Sequence, residues 1–363
     1  MTLSDREGLE TGVSIEKNFI SVIIHRYKRA EFYESAVESV VNQTLDPNSF
    51  EIILVTDFYD RNLKKLSNKY KNFRFIIYQG TCLGERIRSA LSISRGEILC
   101  FLDDDDEFNA EKLFHVMKLF SENKDVAYYH NGQQLIDSEG REIKLGGYLG
   151  RLHHKDSCYF YVRHDMKDKH YKIFSETRAD FNSSSISVRR SHIERTLNWI
   201  DGISIKLDTF MFYSSLISNG DMVIDSRPFT RYRVHGNNVS INSDRDDAKS
   251  NTKFLHISEA YFSDTAIFLS MFREMSFDAK FLRKVIAERA MNNFFKTVLE
   301  DNGGRKPVSL SIYDVLKEWR VFASHELPVP FILAALITGL TYGMSPKIGV
   351  RAAMALFKIA WTA

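Results

Sequence analysis

The sequence predicts an α/β chain, a doubly wound and mostly parallel sheet followed by a helical extension. Three observations carry that expectation. Short β-branched runs alternate with helical periods between Phe19 and Asp106, four consecutive aspartates close the fourth of those runs, and no charged residue occurs from Leu327 to Pro346.

The first run, Phe19–Ile24, is compact and β-branched, as in a strand buried in a parallel sheet. From Glu31 to Gln43 a helical period puts Phe32, Ala36, Val37, Val40 and Val41 on one face. Strand signals return at Glu51–Val55, Phe73–Tyr78 and Glu97–Leu102, with helical stretches over Asp60–Tyr70 and Gly84–Ser94 between them. Four β-α units in series imply right-handed crossovers, and ligands of such sheets bind at the carboxyl ends of the strands. Chemistry is therefore expected at His25 to Tyr27, at Thr56-Asp57 and at Asp103 to Asp106. A helix over Ala110–Phe120 and an extended run over Val126–Ile136 follow. Periodicity then lapses over 146–180, a stretch rich in His, Lys and Tyr and too long for an idle connection, so a lid or binding loop is expected there. Regular signals resume at Ser184–Val188, at the helix Leu207–Ser218 with Asn219-Gly220 as its stop, and at the strand Met222–Ile224.

Composition excludes several classes. With 49 basic against 47 acidic residues the net charge is +2, so a nucleic-acid partner is not expected. Three scattered cysteines, Cys82, Cys100 and Cys158, suggest neither a disulfide framework nor a zinc site, and fit a reducing compartment. The polar start has no basic stretch leading into an apolar one, so no secretory signal is expected. His153, His154, His164 and His170 match no structural zinc spacing. Ser183–Ser185 lacks a nucleophile elbow, and no phosphate-binding glycine pattern follows the first strand.

The acidic segment Asp103–Asp106 is the most informative. So much like charge at a strand end is unfavourable unless a cation neutralises it. Asp103 and Asp105, alternating along an extended chain, would face one side and offer hard oxygens to Mg²⁺ or Mn²⁺ bridged to a diphosphate. A solvated acidic turn capping the helix near Asn109 is the alternative.

These residues resemble the family 2 inverting glycosyltransferases with the GT-A fold. Ser21-Val-Ile-Ile-His-Arg-Tyr-Lys-Arg29 is similar to the family's opening strand ending in Pro-Thr-Tyr-Asn-Arg, and Ser39-Val-Val-Asn-Gln-Thr44 to its helix motif. Glu51-Ile-Ile-Leu-Val-Thr-Asp57 and Gly96-Glu-Ile-Leu-Cys-Phe-Leu-Asp-Asp-Asp-Asp106 match two further motifs in order and spacing. The resemblance implies that Tyr27 and Asp57 hold the nucleobase end of a nucleotide-sugar, Asp103 and Asp104 its donor contacts, and Asp105 with Asp103 the metal. Arg86, with Arg88 as its neighbour, would contact the diphosphate or base. His25 stands where the family has proline, Arg26 where it has a small hydroxyl residue, and Thr56 where it has the first of paired aspartates. Asp208, at the head of a helix, resembles the family's general base, with Asp201 as the other candidate, and Asp208 would otherwise serve as a helix cap. Arg231-Tyr-Arg-Val-His235 resembles the closing motif, which implies that His235 ligates the metal or touches the diphosphate.

The resemblance covers 18–240, divided into a nucleotide-binding half, 18–106, and an acceptor half, 107–240. A tail precedes it over 1–17; a polar linker, 241–253, and a helical region, 254–322, follow. In the last segment, 323–363, Phe331–Gly343 is the uninterrupted helical part, about 20 Å at 1.5 Å per residue and so short of the ~30 Å hydrocarbon core. Lys347, Arg351 and Lys358 then form a basic stripe on an otherwise apolar helix, which suits a membrane interface; packing on the protein itself or in a dimer is the alternative. The expectation is an inverting, metal-dependent transfer of a sugar from a nucleotide-sugar to a glycan or lipid-linked acceptor, at the cytoplasmic inner face of the cell membrane. A sugar-nucleotidyltransferase and a non-catalytic membrane-tethered binding module are the rivals.

Overall fold

The computed structural model describes residues 14–29, 31–144, 158–235 and 247–277, together with 281, 285 and 289. Strands β1 (Glu16–Arg26), β2 (Phe50–Thr56), β3 (Phe73–Ile77) and β4 (Gly96–Asp103) run parallel in the order β3-β2-β1-β4. Helices α1 (Tyr33–Val41), α2 (Arg61–Lys69) and α3 (Leu83–Ile93) join them in turn. One face of this sheet presents Ile20, Val22, Ile24, Ile52, Leu54, Ile98, Cys100 and Leu102 to the inner faces of α1 and of α4 (Lys112–Glu122). Every second strand residue takes part, as the two-residue pleat requires. Because α1 starts at Tyr33, its buried face is Tyr33, Ala36, Val37 and Val40, while Phe32 and Val41 stay partly exposed.

The expected mostly parallel sheet holds for these four strands, and the rest is mixed. β8 (Ile186–Arg189) lies antiparallel between β4 and β6 (Val126–Ile136). β9 (Asp221–Arg233) runs parallel to β6, and carries β5 (Glu107–Phe108) and β7 (Tyr159–Val162) antiparallel on its other side. A short apolar run has the same sequence signature in either direction, so strand sense here is fixed by where the intervening chain leaves it. β9 is far longer than the Met222–Ile224 signal because its register with β6 shifts between Asn131 and Gln133, and exposed Arg227 and Pro228 occupy that irregularity. A bulge is where proline is tolerated in a sheet, and it breaks the alternation that reveals a strand.

Part of the stretch expected to be a structureless lid is regular. β7 and the short helix α5 (Tyr171–Glu176) lie within it, whereas 145–157 fall outside the described residues. Helix α6 (Arg190–Ile193) follows β8, and α7 (Leu207–Ile217) precedes β9. Helix α8 (Asp247–Glu274) begins inside the segment read as a linker. The described residues fall into two compact units, the sheet with its helices as far as Arg233, and a second holding Ser204–Lys206 and α8. Within the second, buried Asp264 accepts from the backbone N–H groups of Ser204, Ile205 and Lys206 at 2.7, 3.0 and 2.9 Å. The 323–363 segment lies outside the described residues, and among those described no helix is long and apolar enough to cross a membrane.

Two local devices position the carboxyl end of β4. The Ser39 hydroxyl accepts from Phe108 N at 3.0 Å; Gln43 donates to Asn109 O at 2.8 Å and accepts from Leu113 N at 2.8 Å; Thr44 N donates to Ala110 O at 2.9 Å. Ser39 on α1 and Gln43 and Thr44 just after it thus clamp the chain that leaves the acidic turn. On the other side, α3 packs against the turn at 194–202 so closely that Gly84 N donates to Ile203 O at 2.8 Å. A Cβ at Gly84 would lie 1.6 Å from the Ile200 carbonyl oxygen, a backbone atom that cannot swing away. Gly84→Ala should therefore destabilise the protein by about 1–3 kcal/mol or more, measured by urea unfolding; an unchanged midpoint would mean the two segments do not meet this closely.

Candidate functional site

The acidic residues lie on a turn, not on the extended chain that alternation assumed, since Asp106 N donates to Asp103 O at 3.2 Å. The turn brings one carboxylate oxygen each of Asp103, Asp105 and Asp106 within 4.8 Å of one another. Three hard oxygen donors at that spacing fit Mg²⁺ or Mn²⁺. Burial first, then the Asp105 charge, pushes the Asp103 carboxyl up to about 7 and that of Asp104 up to about 8. The same two causes hold Asp106 well above the ordinary carboxyl range. A divalent cation would relieve this shared cost.

Neighbouring strands supply partial relief. The parallel register sets His25 beside Asp103, with Nε2 3.0 Å from Oδ1. Burial first, then Arg86 and Arg29, pulls His25 down to about 3, so a neutral imidazole makes this contact. Ser183 donates to the same Asp103 oxygen, and Asp103 N donates to the Ser184 hydroxyl at 3.0 Å. Arg29 bridges Asp104 and Asp105, at 2.5 and 2.7 Å. Arg233 donates its N–H to Asp106 Oδ1 at 2.9 Å and its Nε to Asp105 O at 2.8 Å. Behind the turn Lys112 is fully buried, donates to Ser184 O and lies 3.2 Å from Thr230 Oγ1; burial pushes it down to about 7.

Tyr27 and Asp57 flank the ends of β1 and β2. Arg86, only 5% exposed, stacks 4.0 Å above the Tyr27 ring with Nε and Nη1 lacking any hydrogen-bond partner. Its burial lowers its pKa, against the opposing pull of Tyr27, Asp57 and Asp104. Asp57 accepts from Lys28 N at 3.1 Å, which fixes the turn after β1, where Lys28 takes φ 55°.

The two departures at positions 26 and 56 prove to be one. Arg26 is fully buried, donates from Nε to Thr56 Oγ1 at 2.9 Å and from Nη2 to Phe58 O at 2.9 Å, and pairs with Asp60 at 2.6 Å. Its guanidinium lies 4.1 Å over both Tyr33 and Phe58, and Tyr33 donates to Asp60 at 2.9 Å. A large cation in place of a small hydroxyl is thus matched by a hydroxyl in place of a carboxylate, with Asp60 taking the charge.

Asp208, at the head of α7, accepts from Asn182 N at 3.0 Å and from Thr209 N at 2.7 Å, and its charge reaches Asp103. It is thus held next to the turn that carries Ser183. Asp201 instead pairs with Arg88, which also donates to Leu197 O. These two tie α3 to the 194–202 turn. His235 belongs to the second unit and is half-buried. Arg29 and Lys112 were given no role by sequence reasoning, Asp106 was named only as part of the acidic run, and Ser183 was weighed only as a nucleophile. Only Arg29 and Asp106 left a signal, as the last residue of the first motif and the last of the aspartate run.

Residues 21–186 match the model of a family described as glycosyl transferase family 2. An uncharacterized glycosyltransferase of Rickettsia bellii is 31% identical over 141 residues, 37% of this chain and 20% of that protein. The poly(ribitol-phosphate) beta-N-acetylglucosaminyltransferase TarP of Staphylococcus aureus is 24% identical over 200 residues, 48% of this chain and 61% of that one. The alignments to the first curated relatives span between 20% and 32% of those proteins' length. A crystal structure of S. aureus TarS 1-349 in complex with UDP has a TM-score of 0.51 at 12% identity, covering 94% of this chain and 91% of that one, a likeness of fold.

The acidic turn generates a pH dependence. A carboxyl with a raised pKa binds more protons folded than unfolded between its two values, so its stabilising contribution is present at low pH and lost as pH rises. For Asp103 that window runs from about 4 to about 7. Without divalent cations, the melting temperature of the wild type relative to Asp103→Asn should fall by a few degrees from pH 4 to 8. A gap that stays constant contradicts the crowding.

Proposed function

We propose, from the premise that this chain carries a family 2 glycosyltransferase domain with a GT-A fold, that it moves a sugar from a nucleotide-sugar to an acceptor hydroxyl with inversion. The observation that carries the reading is the buried Arg86, stacked on Tyr27 with two unsatisfied donors close to the acidic turn. Burying a cation without hydrogen-bond partners is unfavourable unless an anionic ligand completes it. A diphosphate is such an anion, and its guanidinium recognition is bidentate.

In this reading Tyr27 and Asp57 take the base, Arg86 the diphosphate, and Asp103 and Asp104 the remaining donor contacts. Asp103, Asp105 and Asp106 would hold Mg²⁺ or Mn²⁺. That ion would supply charge neutralisation to the departing nucleoside diphosphate. Asp208 receives the acceptor proton, and the hydroxyl oxygen attacks the anomeric carbon from the face opposite the leaving group. Asp201, engaged by Arg88, is a poorer base. For the acceptor, relatives named for poly(ribitol-phosphate) transfer support a polymeric or lipid-linked hydroxyl compound. The basic, apolar 323–363 segment supports a peripheral place on the inner membrane face.

Two variants test the reading. Asp208→Asn should lower the transfer rate by about 10² to 10⁴-fold while donor Kd and melting temperature stay near wild type; if Asp201→Asn alone collapses transfer, the base is Asp201. Arg86→Met should weaken UDP binding by about 10- to 100-fold, as expected for a charged hydrogen bond of ~1.5–3 kcal/mol, and leave stability equal or higher. UDP affinity unchanged in calorimetry would remove Arg86 from the donor site.

A further inference from the structure

The turn after β1 carries a feature that metal binding by the acidic turn does not by itself require. Lys28, at φ 55°, reverses the chain so that the Arg29 side chain reaches the end of β4. Its two terminal nitrogens are divided between two carboxylates, Nη2 on Asp104 at 2.5 Å and Nη1 on Asp105 at 2.7 Å. The side chains of Asp104 and Asp105 are 4% and 10% exposed, that of Arg29 31%. Burial alone would lower the Arg29 pKa, and the charges of Asp105 and Asp104 instead raise it. The guanidinium is therefore the counter-ion of this part of the turn.

Asp105 belongs at once to this pair and to the trio whose oxygens lie within 4.8 Å of one another, whereas Asp104 belongs only to the pair. A divalent cation on the trio and a guanidinium on Asp105 are like charges held by one buried carboxylate, where their repulsion is screened far less than in water. We propose that Arg29 is an internal competitor of the divalent cation: loading the ion takes Asp105 from Arg29, which stays tethered to Asp104. This rests on the metal reading of the trio, to which the buried, unsatisfied Arg86 independently adds an anion-binding group. Arg29 is thus a positioning residue that sets metal affinity. Part of the carboxylate charge is already offset by Arg29, and the ion binds more weakly than three carboxylates alone would allow.

The experiment is a Mn²⁺ titration of the full chain without nucleotide, following free Mn²⁺ by electron paramagnetic resonance. Arg29→Gln, which keeps hydrogen-bonding capacity and loses the charge, should bind Mn²⁺ at least tenfold more tightly than wild type. Equal or weaker binding by a variant with wild-type melting overturns the proposal. Should that variant fail to fold, phenylglyoxal labelling of the wild type decides: Mg²⁺ should speed modification of Arg29, read by peptide mass spectrometry, and an unchanged or slower rate overturns the proposal. If neither form binds Mn²⁺ with or without UDP, the metal reading itself fails; if both bind it equally, only the Arg29 inference does.

Discussion

The like charge gathered at the carboxyl end of β4 is the constraint on which the surrounding structure depends. Asp104, Asp105 and Asp106 are each less than a tenth exposed, so water does little to spread their charge. Partners come from four directions. β1 supplies His25 and, through its terminal turn, Arg29; the 182–185 turn supplies Ser183 and Ser184; the end of β9 supplies Arg233; and α4 sets Lys112 behind. Each of these elements is fixed in turn by its place in the sheet. The long, kinked β9 matters for that reason, since only a strand running past the bulge at Asn131–Gln133 delivers Arg233 to Asp106.

A second constraint operates at the base end. Arg26 fills a core position with a cation, which a protein interior accepts only when that charge is paired and its donors are used. Thr56, Phe58 O and Asp60 use them, and the guanidinium also lies 4.1 Å over the rings of both Tyr33 and Phe58. The loop from Asp57 to Asp60 is anchored as a result. Asp57 keeps its carboxylate on Lys28 N, facing the side where Tyr27 and Arg86 stack. Two substitutions that look like erosion of a binding motif thus form one self-consistent packing unit.

Arg86 and Arg88 illustrate how neighbouring, chemically identical side chains acquire different work. They are two positions apart on α3, hence about 200° apart around it. One turns inward to Tyr27 with donors unspent; the other turns to the 194–202 turn and spends its donors on Asp201 and Leu197 O. No ranking of the two follows from spacing alone, because which face of α3 meets Tyr27 depends on how the helix packs.

By itself the sequence determined the alternation of strands and helices through β4 and the position of the acidic turn, and it pointed to the strand ends at His25–Tyr27, Thr56-Asp57 and Asp103–Asp106, whereas Arg86 and Asp208 became candidates only through the family resemblance. Those signals are local, since a pleat of two, a helical period of 3.6 and an unbroken run of aspartates all lie within a few residues. Strand direction after β4, the bulged β9, the strand β7 within the expected lid and the roles of Arg29, Ser183, Lys112 and Arg233 were decided only by the tertiary structure. Their partners lie some 70 to 130 positions away, as in Arg29 to Asp105 at 76 and Arg233 to Asp106 at 127. Pairings over such separations follow from strand order and register, which no local pattern encodes, and the cost of gathering four carboxylates, three of them buried, makes those pairings the ones that the fold must supply.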